Sequence, residues 1–121
     1  MKKILTLIIS LILASSCSNH YSETEFNTKA ISVAAIQIFS KYEGKSQVAI
    51  EVPDIPETIL ELKPNYVILQ DNGLYIYLSS FFVEAQGIFI PKPNTNVVTG
   101  SGHDPSFKLL KNNVFSFYIK G

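Results

Sequence analysis

The sequence predicts an α+β domain in which an N-terminal helix packs on an antiparallel β-meander of three to five strands. Three observations predict it. Ile31, Ala35, Ile38, Phe39 and Tyr42 recur at helical spacing and form one wide apolar stripe. Two β-rich runs flank Asn72-Gly73, the dipeptide best suited to a type I′ hairpin turn. Further short β-rich runs, 87–90 and 114–119, stand between clusters of proline, glycine and asparagine.

Asn27 is a natural N-cap for a helix over 28–43, and Gly44 is its stop. Only Lys29 and Lys41 supply cations on the polar face, so packing on a sheet is favoured over lying in a membrane interface. Residues 47–52 read as a short strand ended by Pro53. Pro56 suits the first turn of a brief helix running to about residue 62 and halted before Pro64. In the hairpin over 65–80, a loop at Asn72-Gly73 pairs Asp71 with Leu74, Leu69 with Ile76 and Val67 with Leu78. One face then carries Val67, Leu69, Leu74, Ile76 and Leu78, and this aliphatic face belongs under the helix. The other carries Tyr66, Ile68, Gln70, Tyr75 and Tyr77. Ala85-Gln86-Gly87 reads as the next turn and 87–90 as the next strand. Residues 91–106 form a long loop of turn formers, 107–113 a half-turn approach, and 114–119 the last strand.

Upstream, Lys2 and Lys3 precede an apolar run over 4–13, then small residues, then Cys17, the chain's only cysteine. The apolar run is half the length of the roughly 20 residues that span a bilayer, so the layout is that of a secretory signal. Leu13-Ala14-Ser15-Ser16-Cys17 resembles the lipobox of bacterial lipoproteins, with Leu13 one place before the position of that family's usual leucine. The resemblance covers residues 1–17 alone. It implies cleavage before Cys17, acylation of its sulfur and new amino terminus, and attachment to the membrane. Several acyl chains, at about 0.8 kcal/mol per buried methylene, hold a protein stably where one holds it marginally. Ser18 in place of aspartate implies passage to the outer membrane, facing the periplasm. The chain therefore divides into a signal over 1–16, a lipidated cysteine with a flexible tether over 17–26, and one small domain over 27–121. A plain secretory signal with an incidental thiol is the alternative, and it leaves an exported cysteine without a disulfide partner.

Loss of Lys2 and Lys3 leaves eight lysines against ten acidic residues, a formal charge of −2, and there is no arginine. That balance disfavours nucleic acid as a partner. Ser101-Gly102-His103-Asp104-Pro105-Ser106 invites a hydrolase reading built on His103. A triad needs its three members to converge in space, though, and Asp104-Pro105 equally forms a turn in which aspartate caps backbone. With Cys17 acylated, His20 and His103 make no zinc set, and no calcium or phosphate-loop motif is present. No cofactor and no metal are expected. Tyr66, Tyr75 and Tyr77 offer rigid amphipathic area suited to a partner, unless rings such as Phe115 and Phe117 cover them. Ser101-Gly102 resembles the Ser-Gly loop of the periplasmic lysozyme inhibitors, whose other motifs and cysteines are absent here.

These readings imply a non-catalytic, membrane-anchored module that binds another protein. Its contacts would come from the tyrosine face or from Ser101, Gly102, His103 and Asp104. Its role would be that of an inhibitor or immunity protein, or of an accessory subunit in an envelope complex. The contrasting classes are a small periplasmic hydrolase using His103 and a structural spacer.

Overall fold

The computed structural model describes residues 20–100 and 102–121. It has the expected α+β class: one long helix on an antiparallel sheet. The sheet has six strands, one more than the three to five expected because residues 106–111 also form a strand: β1 (Val48–Ala49), β2 (Tyr66–Gln70), β3 (Gly73–Phe81), β4 (Glu84–Pro91), β5 (Ser106–Lys111) and β6 (Val114–Ile119). Their order is β1-β2-β3-β4-β6-β5, so β6 takes the place beside β4 and β5 forms the edge.

Helix α1 (Thr28–Lys41) starts as the sequence predicts, with the Asn27 side chain accepting from the Ala30 N–H at 3.2 Å. Ile31, Ala34, Ala35 and Ile38 face the sheet, where Val67, Leu69, Leu74, Ile76, Ile88, Ile90, Leu110 and Val114 complete an aliphatic core. Phe39 and Tyr42 lie at its margin. The helix end is tied down by Asp54, which accepts from the Tyr42 hydroxyl at 2.7 Å and pairs with Lys41. The brief second helix is α2 (Glu57–Leu60), with Pro56 at its N-cap.

Three local expectations are corrected. The β2–β3 register pairs Gln70 with Gly73, Leu69 with Leu74 and Val67 with Ile76, so the loop is Asp71-Asn72. Gly73 is a strand residue here: a Cβ on it would collide with the Ile90 carbonyl and lie 2.7 Å from Pro91 Cα. The slip from the expected register is two residues, so each side chain keeps its predicted face. Second, Ala85-Gln86-Gly87 lies within β4, and the chain reverses at Phe82-Val83. Gly87 serves close approach, because a Cβ would meet the Ile76 carbonyl and sit 2.8 Å from the Phe117 ring. Third, the expected half-turn approach over 107–113 is β5 and its turn. Asn112 and Asn113 have φ of +54° and +59° between paired Lys111 and Val114, the left-handed pair a type I′ turn requires.

The described part of the expected tether, residues 20–26, lies on the fold. Ser22 and Glu25 make a reciprocal capping box around a single 3-10 turn, and Tyr21 and Phe26 pack against the aliphatic core. Among the described residues no helix is long and apolar enough to cross a membrane.

Candidate functional site

A cleft of about 620 Å³ opens where β5 and β6 meet the long loop. Its lining combines Thr99, Gly100, Gly102 and His103 from the loop with Ser106, Phe107, Lys108 and Leu109 from β5. Tyr118, Lys120 and His20 complete it. Asp104 positions this wall: its carboxylate accepts from the Lys120 N–H at 2.8 Å and the Gly121 N–H at 3.2 Å. The aspartate thus caps backbone, as expected of a turn residue, but on the chain's last residues and not on its own loop. Gly100 donates to the Phe107 carbonyl at 3.2 Å, and Val97 packs among the aromatic side chains, so the loop is fastened to the sheet at both places.

His20 lies at the inner end of the cleft. Its Nδ1 is 3.0 Å from Ser116 Oγ and its Nε2 is 3.1 Å from Ser106 Oγ. Ser116 Oγ also accepts from the Tyr21 N–H at 3.0 Å, and Ser106 Oγ donates to the Tyr118 carbonyl at 3.5 Å. A neutral ring satisfies this chain: Ser116 donates to Nδ1, and the Nε2 proton goes to Ser106. Partial burial holds the imidazole below the usual histidine range, and the Lys108 ammonium pushes it the same way. The Tyr118 ring meets it edge-on at 6.4 Å.

A serine hydroxyl within hydrogen-bond reach of an imidazole is a geometry used for nucleophile activation. Here, however, the second ring nitrogen meets a serine and not an orienting carboxylate, and Ser106 is buried with its hydroxyl turned to a backbone carbonyl. His103 lies exposed on the loop, Asp104 is occupied by backbone, and Ser106 faces the other histidine. Sequence proximity of Ser106, Asp104 and His103 therefore does not become a convergent site. Gly102 is exposed, at φ +94°, a conformation that favours glycine. Cys17 and Ser101 lie outside the described residues. Among the described residues no group of three or more histidine, cysteine, aspartate and glutamate side chains could hold a metal ion.

No family model, curated protein or solved structure matches this chain. Function must therefore be argued from geometry.

The three tyrosines share the sheet face away from α1, as the alternation predicts, but they do not form an open contact surface. Tyr75 is buried, its ring 4.6 Å from Phe89 and 5.2 Å from Phe117, and its hydroxyl accepts from Asn72 Nδ2 at 2.9 Å. Tyr77 is half-buried, 5.1 Å from the Phe117 ring. Burial raises the phenols of both above the ordinary tyrosine range. Tyr66, 59% exposed, is the member that stays open. The coverage by Phe117 that the sequence offered as an alternative is what the sheet contains, with Phe89 and Phe107 joining it.

Two features escape the sequence reading. His20 sits in a polar stretch where nothing in its spacing marks it, although Ser22 and Glu25 carry the capping-box signature of local structure. The other is the Phe81-Phe82-Val83 tip, whose exposure depends on where the β3–β4 turn falls.

Proposed function

We propose that the chain is an exported lipoprotein, acylated at Cys17 and held at the outer membrane facing the periplasm, where it binds another protein without catalysis. What carries the reading is the cleft beside Lys108 and Lys120. Its described lining residues offer ammonium, imidazole and hydroxyl groups and no carboxylate, which suits the carbonyl and carboxylate groups of an inserted protein segment. The partner is then the target of an inhibitor or immunity protein, or a neighbour in an envelope complex. Absence of catalysis is supported by the occupied Asp104 carboxylate and the inward-turned Ser106 hydroxyl.

The test uses the full chain in cells, with a photo-crosslinking side chain at Leu109, which lines the cleft, or at Val33 on the outer face of α1. One discrete protein adduct from position 109, absent from position 33 and lost on Lys108→Glu with Lys120→Glu, is the expected result. Adducts that ignore both the position and the charge reversal overturn the cleft as the contact. In parallel, Cys17→Ser should move the protein out of the membrane fraction; persistent attachment overturns the anchor.

A further inference from the structure

We propose that the β3–β4 hairpin tip, Phe81-Phe82-Val83, dips into the bilayer that carries the acyl chains of Cys17, fixing the domain's orientation on the membrane. The inference rests on the lipoprotein reading above.

The tip is the most apolar exposed point among the described residues. Phe81, Phe82 and Val83 are 69%, 91% and 70% exposed, and the two phenylalanine rings contact each other edge-on at 4.4 Å. A contiguous exposed group of this kind marks a contact with a membrane or a protein. The backbone adds an independent observation. Phe82 has φ +55°, in a turn position where glycine or asparagine would sit without strain. A bulky ring there is tolerated at the fold's expense, which points to use of the ring itself.

Topology supplies the bilayer as occupant. Ser106 pairs with Tyr118, Tyr118 with Gln86 and Gln86 with Ser79, so these four form one rung across the sheet. The tip lies beyond that rung, and His20 is bonded to Ser106 on it. From His20 the chain runs to Thr28, which accepts from Asn112 at the opposite end of the sheet. The described chain therefore begins at the end of the sheet that bears the tip, and heads away from it. At about 3.3 Å per strand residue the tip stands roughly 10–15 Å past His20. Only Ser18 and Asn19 separate His20 from Cys17, and three Cα steps reach at most about 10 Å. That reach is enough to let the acyl chains come near the level of the phenylalanines. Tyr66 is exposed at the same end, a residue type that settles at the headgroup level. Glu84 at the base of the tip, and Asp104 bonded to the amides of Lys120 and Gly121 beside Val83, are acids that limit how deep it can go. Because several acyl chains already hold the protein, the tip sets attitude more than affinity.

The chain contains no tryptophan, so a single one reports its own surroundings. The experiment places Phe82→Trp or Val33→Trp in the full lipoprotein, purified and reconstituted into vesicles of phosphatidylethanolamine and phosphatidylglycerol with or without a shallow bilayer quencher. Mass spectrometry of the same sample reads acylation of Cys17. The expected result is an acylated protein whose Trp at position 82 is blue-shifted and at least twofold quenched, with position 33 water-like and unquenched. An acylated protein whose position 82 stays water-like overturns the tip and leaves the anchor standing. A blue shift that bilayer quenchers do not touch gives the tip to a protein surface, such as a second copy, and also overturns it. Equal quenching at both positions overturns the fixed orientation. An unacylated mass overturns the anchor and this inference with it.

Discussion

The two faces of the sheet are both buried, but by different means. The aliphatic face lies under α1, whose Ile31, Ala34, Ala35 and Ile38 supply the opposing layer. Over the aromatic face no helix packs among the described residues. Tyr75, Phe89, Phe115 and Phe117 lie across neighbouring strands and cover one another, with Tyr77, Phe107, Ile119 and Val97 at the margin. Large rings can do this because each spans the distance to the next strand, and tilted and edge-on contacts add to the area they bury. Gly87 makes room by letting the Phe117 ring lie over bare backbone. A row of tyrosines on a sheet is thus not by itself a contact surface, because its aromatic neighbours on other strands decide whether it is open.

The sharpest way to break this comparison is to treat the aromatic face as a true second core and remove its centre. Phe89 is fully buried between strands. Phe89→Ala should lower unfolding free energy by about 3–5 kcal/mol, as much as truncation of a large side chain in a conventional core. Urea denaturation of the purified domain checks it. A loss below about 1 kcal/mol would mean that the rings are only draped on the surface, and that the helix-covered face alone holds the fold.

The faces themselves were legible, because alternation along β2 and β3 survives a register error of two residues. The helix was legible for a similar reason: its cap and its stripe are both local signals. What could not be read was pairing at a distance. Asn72-Gly73 carries the strongest hairpin signature, yet Gly73 is taken by the close approach of β4, while Asn112-Asn113 makes the left-handed turn without glycine. The same limit governs the site. His103, Asp104 and Ser106 are adjacent in sequence and point apart, whereas His20 reaches Ser106 and Ser116 across 86 and 96 residues. No spacing rule relates residues that only strand order brings together.

A gentler probe asks what covers the corner of the aliphatic face near Ser106 and Ser116. His20 and Tyr21 are bonded there. Burial disfavours the imidazolium, so the folded histidine titrates below the 6.5 of the unfolded chain. As pH falls through 6.5 the unfolded state takes the proton first, and stability declines until the folded pKa is passed. Stability that this group contributes is therefore present above 6.5 and lost below it. Thermal unfolding of the wild type should show a midpoint that falls between pH 7.5 and 5.5, and His20→Gln should flatten that fall. Parallel profiles would mean that the N-terminal segment does not cover the corner in solution.

The smallest effect is expected where the aromatic face ends. Tyr66 pairs with Tyr77 across β2 and β3, and its ring meets Tyr77 edge-on at 6.1 Å, yet 59% of it is exposed. Tyr66→Ser should shift stability by no more than about 0.5 kcal/mol, the range for surface positions outside the core. Combined with Phe89→Ala it should add nothing beyond the sum, since separated sites behave independently. A loss of 2 kcal/mol or more from Tyr66→Ser alone would extend the aromatic core to the sheet's outer strands. A silent substitution instead leaves Tyr66 free for the proposed membrane contact, since it is exposed at the end of the sheet that bears the Phe81-Phe82 tip while its neighbours are buried.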